Sequence, residues 1–137
     1  MINREPSLGQ VIAERRARLQ LSLKDLGRLV HKESGDGVSA QYLHDIERDR
    51  RTPSPHVLGE LARALGVDVY YLAAVAGQCP PEVLNYLRER PEMGPQVAAF
   101  FVQARSTGFT DWEALTRAIG NMEFSHPHHD LEAMAAR

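Results

Sequence analysis

The sequence predicts an all-α chain in two parts, a compact five-helix unit followed by a smaller helical one. Three observations predict it. No stretch of the 137 residues alternates apolar and polar positions long enough to make a strand. Apolar residues recur instead at three- and four-residue spacing, and most such runs open on Ser, Thr or Asp, the residues that cap helix N-termini. After the fifth run Pro80-Pro81 interrupts the chain. The predicted organisation is residues 1–77 as one domain, residues 78–120 as a helical C-terminal region and residues 121–137 as a mobile tail.

The first helix opens at Ser7, which has capping-box spacing with Gln10, and carries Leu8, Val11, Ile12, Arg15 and Leu19 on one face. The second opens at Ser22 with Asp25 three residues on; Leu23, Leu26, Leu29 and Val30 supply its apolar face, and Gly35 is a plausible C-cap. Ser34-Gly35-Asp36-Gly37 must be a loop, because two glycines in four residues break a helix. The third helix runs from Ser39 to about Arg48 with Leu43 and Ile46 inward. Ser54 followed by Pro55 starts the fourth, which carries Val57, Leu58, Leu61 and Leu65 and stops at Gly66. Asp68 caps the fifth, with Val69, Leu72 and Val75, which ends at Gly77. Beyond the prolines, a sixth helix spans about Glu82 to Glu89. A seventh carries Val97, Phe100, Phe101 and Ala104. An eighth opens on a Thr110–Glu113 capping box and holds Trp112, Leu115 and Ile119.

Composition excludes several classes of function. A hydrophobic fraction of 43% with 25% charged residues fits a folded globular chain and argues against wholesale disorder. No apolar run approaches the roughly 18 residues a bilayer span needs. The opening MINREPSLGQ lacks the apolar core of a signal peptide, which predicts a cytoplasmic protein. Cys79 is the sole cysteine, so no intrachain disulfide can form, and nothing near it in sequence marks it as a redox sensor. His126, His128 and His129 beside Asp130 invite a metal reading, but Pro127 and their terminal position assign them to the tail, and no metal site is expected. With no glycine-rich phosphate loop, paired-cysteine zinc motif or nucleophile–base pair, neither an enzyme nor a cofactor is expected.

Net charge is −2, which argues at first against a polyanionic partner. Distribution decides the matter. Residues 1–77 hold 11 Lys and Arg against 10 Asp and Glu, whereas residues 78–137 hold 5 against 8. Within the first part, basic residues cluster at Arg15, Arg16 and Arg18 and again at Arg48, Arg50 and Arg51. A small positive face on a neutral domain suffices for phosphate contacts, but leaves specificity to base contacts and to two half-sites.

The informative stretch is Leu21 to Leu72. In a helix-turn-helix one helix lies in the major groove while its predecessor crosses above it, so a small residue is wanted midway along the first; Gly27 sits there. A Gly-apolar-Ser turn should precede the second, and Gly37-Val38-Ser39 supplies glycine for the backbone angles, valine for the core and serine as N-cap. With Leu43 and Ile46 inward, the outward face of helix 3 is Ala40, Gln41, His44, Asp45 and Arg48. Gln41 lies in the first turn, where glutamine can pair bidentately with adenine. Arg48, Arg50 and Arg51 suit backbone phosphates, as do Lys24 in the first turn of helix 2 and the hydroxyl of Tyr42 at the flank. Asp45 either accepts from cytosine N4 or orients Arg48 or Arg51.

At these residues the chain resembles the XRE family of lambda-repressor-like helix-turn-helix proteins. The pieces that carry the resemblance are VIAERR from Val11, LSLKDL from Leu21 and VSAQYLHDIERDRRTPSPHVLGELARALGVDVYYL from Val38 to Leu72. The resemblance covers about the first 77 residues and implies a five-helix fold with sequence-specific DNA binding. Its base contacts fall on Ser39, Ala40, Gln41, His44 and Asp45, and its ion pair between helices 1 and 3 on Arg16 and Glu47. The chain departs from the minimal family pattern in the extra residues His31 to Asp36, which either lengthen helix 2 or enlarge the turn. Over fewer residues, namely Leu84, Leu87, Pro91-Glu92-Met93-Gly94-Pro95-Gln96 and Asp111-Trp112, the C-terminal part resembles the DdrO-type damage-response repressors. That resemblance implies a helical dimerisation region cut by a regulatory peptidase.

The expectation is therefore a homodimeric repressor of transcription that binds a pseudo-palindromic operator in double-stranded DNA. Phe100, Phe101, Trp112, Leu115 and Ile119 would form the dimer interface. The alternative is an antitoxin whose helix-turn-helix only autoregulates; its toxin-wrapping arm would be disordered alone, whereas aromatics at helical spacing imply a folded unit. A small-molecule sensor is a third reading, but 60 C-terminal residues could build a pocket only between two chains, and its polar groups are not evident.

Overall fold

The structure, a computed structural model, describes residues 5–122. Among these residues are eight α-helices, and no strand is present beyond one isolated bridge between His31 and Gly37. The helices are α1 (Leu8–Arg18), α2 (Leu23–Leu29), α3 (Ala40–Glu47), α4 (Pro55–Leu65), α5 (Val69–Val75), α6 (Pro81–Glu89), α7 (Gly94–Thr107) and α8 (Trp112–Asn121), with a 3-10 turn at Pro91–Met93. The fold is all-α. No helix of the described residues is long and apolar enough to cross a membrane. Of the tail, residues 123–137 lie outside the described residues, and with them His126, His128 and His129; Asn121 still belongs to α8.

The starts of the first five helices follow from local chemistry. The Ser7 hydroxyl accepts from the Gln10 N–H while the Gln10 side chain reaches back to the Ser7 N–H, and Ser22 and Asp25 repeat the box on α2. Ser39, Ser54 and Asp68 cap α3, α4 and α5, and Pro55 occupies the first turn of α4. Their inward faces meet in one core, in which Ile12, Leu26, Leu43, Ile46, Leu61 and Leu72 are fully buried. Val69, expected on the inward face of α5, is exposed at 41%, because α5 turns only Leu72 and Ala73 fully into the core.

The extra residues enlarge the turn and leave α2 short. Helix α2 ends at Leu29, and Val30 is already extended. The chain then folds back on itself: the Lys32 N–H donates to the Asp36 carbonyl at 2.7 Å and the Gly35 N–H to the Lys32 carbonyl at 2.8 Å. Gly35 is therefore not a helix C-cap but the tip residue of this small loop, at φ +91°. The Val38 N–H donates to the carbonyls of both Gly27 and Val30, at 3.1 and 3.2 Å, which closes the loop at its base. The excursion thus leaves and rejoins the chain between the ends of α2 and α3 without separating them.

The chain divides into two compact units after Glu89, so α6 groups with the N-terminal unit, whereas the break at Pro80-Pro81 placed it with the C-terminal region. Tyr70 of α5 donates its hydroxyl to Glu82 of α6 at 3.0 Å, and the Gln78 amide donates to the Pro53 carbonyl at 2.8 Å. The Glu82 carboxylate, by accepting that bond, pushes the Tyr70 hydroxyl above its ordinary pKa.

In the second unit α7 starts at Gly94, directly after the 3-10 turn. It runs through Ser106 and Thr107 to a left-handed Gly108. Helix α8 starts one residue later than expected: Asp111, not Thr110, accepts from the Ala114 N–H and is the N-cap. The rings of Phe100, Phe101 and Phe109 lie 5.8, 5.7 and 5.1 Å from that of Trp112. Yet of α7 only Ala104 is buried, and α8 buries no residue.

Candidate nucleic-acid interface

Helix α3 is held from behind and open in front. Leu43 and Ile46 are buried at its back; Ala40, Gln41 and Arg48 are exposed at its front, with His44 and Asp45 half-buried between them. Gly27 sets the distance to α2. A Cβ there would lie 2.4 Å from the Val38 carbonyl oxygen, inside any permitted contact. Gly9, which sequence reasoning passed over, does the same between α1 and α3, where a Cβ would lie 2.3 Å from the Glu47 carbonyl oxygen.

Two further devices lock α3 to α1. Arg16 grips Glu47 in a fork, Nε to Oε1 at 2.5 Å and Nη2 to Oε2 at 2.9 Å, while its third nitrogen donates to the Leu21 carbonyl at 2.9 Å. Glu47, only 9% exposed, holds the Arg16 guanidinium above its already high ordinary pKa through these bonds. Beyond the helix end Asp49 adopts the left-handed conformation, φ +56°. Its carboxylate accepts from the Ser7 hydroxyl at 2.6 Å and the Gly9 N–H at 2.9 Å, capping α1 from outside. Glu47→Ala leaves the half-buried Arg16 charge with the Leu21 carbonyl but no counter-charge, and is expected to cost about 3 kcal/mol, the lower end for buried pairs. Urea unfolding measures this, and a wild-type midpoint would place Glu47 in solvent.

The basic residues divide by use. Arg15 donates to the Leu65 carbonyl at 2.9 Å and so closes the C-terminal end of α4. Arg16 serves Glu47, and Arg18 pairs with Glu14 at 2.6 Å. Arg15 and Arg16 are thus committed to internal contacts, whereas Arg18 makes only an exposed pair one helical turn away. The second cluster is differently placed: Arg48, Arg50 and Arg51 are all exposed. The Arg51 guanidinium lies 5.7 Å over the Tyr42 ring, and Tyr42 itself is half-buried against the core. On α2 the Lys24 side chain is exposed, while the first-turn N–H of Asp25 is taken by Ser22.

The loop adds a residue that the sequence reading left out. An open concavity of about 390 Å³ lies between the loop and the starts of α3 and α4, lined by Lys32 and Glu33 of the loop together with Ser39, Tyr42, Arg51, Ser54 and Val57. Lys32 thereby lies with Arg51 at the edge of α3, with the opposite charge of Glu33 beside it. Its contribution was invisible in sequence because it depends on the Lys32–Asp36 pairing that turns the loop back.

The proposed interface residues of the C-terminal unit remain largely open in the single chain. Phe100, Phe101, Trp112 and Ile119 are 45%, 54%, 40% and 51% exposed, and Leu115 is half-buried. A groove of about 220 Å³ runs past Phe100, Gln103, Phe109 and Leu115. Among the described residues no cluster of three His, Cys, Asp or Glu side chains has the arrangement of a metal site.

A comparison with known families agrees with the helix-turn-helix geometry of α2 and α3. Residues 7–74 match the model of the helix-turn-helix domain family. The uncharacterized HTH-type transcriptional regulator y4dJ of Sinorhizobium fredii (strain NBRC 101917 / NGR234) is 44% identical over 48 residues, 35% of this chain and 62% of that protein. The matched region thus spans less than two thirds of that relative. A chain of the solved SinR protein/SinI protein complex is 25% identical, with a TM-score of 0.41 over 75% of this chain and 99% of that one. Over residues 7–74 the chain carries a helix-turn-helix domain.

Proposed function

We propose that this chain is a sequence-specific, double-stranded-DNA-binding regulator of transcription that acts as a homodimeric repressor on a pseudo-palindromic operator. One observation carries the proposal: α3 is anchored on its inner face by Leu43, Ile46 and Glu47 and presents Ala40, Gln41, His44 and Asp45 outward, beside the exposed Arg48, Arg50 and Arg51. In this reading Ser39, Ala40, Gln41, His44 and Asp45 face base edges, and Lys24, Tyr42, Arg48, Arg50 and Arg51 face phosphates. With DNA as its ligand the protein acts in the cytoplasm, by binding and without catalysis.

The second copy is proposed on the open aromatic face of residues 90–122. A unit this small cannot enclose a core of its own, and Phe100, Phe101, Trp112 and Ile119 are left in water until another surface covers them. Pairing places the two recognition helices about 34–36 Å apart, one turn of DNA. In line with the resemblance of this segment to DdrO-type repressors, a regulatory peptidase that cuts here would relieve repression by dissolving the dimer.

Selection from a random duplex library with the full-length protein tests the function. The expected result is enrichment of a two-fold-symmetric motif; no enrichment over the starting pool at moderate salt contradicts it. On the selected duplex, Arg51→Ala and Lys24→Ala should each weaken binding to all sequences alike and lower the slope of log affinity against log salt by about one. A slope unchanged in both variants would remove those residues from the phosphate contacts.

A further inference from the structure

A carboxylate on a DNA-facing helix is repelled by phosphate, so Asp45 needs a compensating use. Asp45 lies one helical turn after Gln41, with its side chain 21% exposed. The Gln41 amide nitrogen donates to Asp45 Oδ1 at 3.1 Å. The other carboxylate oxygen, Oδ2, stands 3.9 Å from the Arg51 Nε, and Arg51 in turn lies over the Tyr42 ring. Asp45 thus sits between the candidate base-reading residue and a candidate phosphate-binding one.

The chemistry of this pair is directional. An ionised carboxylate only accepts, so Gln41 can turn only its amino group toward Asp45, and its carbonyl oxygen must face away. One amino hydrogen is consumed. The amide is left with one N–H donor and one oxygen acceptor, a pattern that matches adenine, which offers N7 as acceptor and its N6 amino group as donor. Guanine offers two acceptors, N7 and O6. An unrestrained glutamine could flip or aim both amino hydrogens at them; a glutamine held by Asp45 would set its own oxygen against one of them.

We propose that Asp45 is a positioning residue that sets specificity: it fixes the Gln41 amide in the orientation that accepts adenine and rejects guanine, and it does so at the expense of general affinity for DNA. The proposal rests on the reading of Gln41 as a base contact. It also assigns the Asp45–Arg51 proximity a consequence: the carboxylate offsets part of the attraction between Arg51 and phosphate, so non-specific binding is held down while base discrimination is held up.

The test uses full-length wild type, Asp45→Ala, the isosteric Asp45→Asn, Gln41→Ala and the Gln41→Ala/Asp45→Ala double variant. Base preference is read at each position of the selected duplex, with affinity for an unrelated mixed-sequence duplex measured at the same salt. Asp45→Ala is expected to reduce adenine-over-guanine discrimination at the Gln41 position by roughly fivefold or more, while raising affinity for the unrelated duplex. Asp45→Asn, whose amide can turn either way and no longer dictates the orientation of Gln41, should also relax the preference. In the Gln41→Ala background, removing Asp45 should change no base preference. Discrimination that survives Asp45→Ala and Asp45→Asn but falls in Gln41→Ala overturns the proposal and leaves the base-contact reading intact. A preference lost at a different base pair, and lost equally without Gln41, shows that Asp45 reads a base itself and also overturns it. If Gln41→Ala alters no preference, or the selected base at that position is not adenine, the reading beneath the proposal fails and the proposal with it.

Discussion

Truncation of the chain after Gly108 is expected to give a monomer that releases operator DNA while its N-terminal domain stays folded. The cut removes Phe109, Trp112, Leu115 and Ile119, and with Trp112 the ring that packs against both Phe100 and Phe101. The core of residues 5–77 is untouched, since its buried residues run from Leu8 to Ala73. Each monomer would then face a single half-site. The full dimer joins two such weak contacts at high effective concentration, so losing the link should cost about 10²- to 10⁴-fold in operator affinity with no change in α3. Sedimentation velocity and fluorescence anisotropy on the selected duplex measure the two effects together. A truncated chain that still dimerised and bound like full length would move the dimer contact elsewhere. A peptidase acting between Gly94 and Gly108 would reproduce the same loss, because only the link between half-sites is broken.

Gly9→Ala and Gly27→Ala are expected to be among the most destabilising single substitutions in the domain. At each position the added methyl meets backbone, not a side chain that can swing aside. For Gly9 the Glu47 oxygen and carbon would lie at 2.3 and 2.7 Å, and for Gly27 the Val38 oxygen at 2.4 Å. Whole helices must shift to relieve this, and a shift of α1 also loosens the Arg16–Glu47 fork and the bonds from Ser7 and Gly9 to Asp49. Overpacking costs about 1–3 kcal/mol where side chains can give way, and these sites should reach or exceed the top of that range. Gly59, in α4 with nothing within 4 Å of its would-be Cβ, supplies the control: Gly59→Ala should be neutral or stabilise by up to about 1 kcal/mol. Urea midpoints decide it; Gly9→Ala or Gly27→Ala matching wild type would mean that the helices are not packed this closely.

Local chemistry made most of the N-terminal domain legible. The starts at Ser7, Ser22, Ser39, Ser54 and Asp68 depend on a side chain and an N–H two or three residues away, which a sequence displays directly. Gly27 was legible as well, because a helix-turn-helix needs a close crossing at that point. What escaped depends on partners far along the chain. Asp49 reaches Ser7 and Gly9, Arg15 reaches the carbonyl of Leu65, and no local pattern marks either contact. The extra residues left two readings open, a longer α2 or a larger turn, because the deciding bonds, Lys32 to Asp36 and Val38 to Gly27, cross the loop. At α8, Thr110–Glu113 had the spacing of a capping box, but the adjacent Asp111 also offers a capping oxygen and takes the role. For the recognition face, the outward placement of Gln41 and Asp45 followed from helical periodicity; their mutual bond, at four-residue spacing, is visible only with side chains in place.

Helix α3 is expected to enter the major groove N-terminus first, with Gln41 reading a base there. The most direct measurement is duplex selection repeated with full-length Gln41→Ala beside wild type. Gln41 is exposed, and among the described residues its side chain bonds only to Asp45, so the variant should fold normally. Preference should be lost at one base pair in each half-site, the two related by two-fold symmetry. Every other position should be retained, and affinity for the best duplex should fall by about 1–3 kcal/mol. A selected motif identical to that of wild type at every position would contradict it.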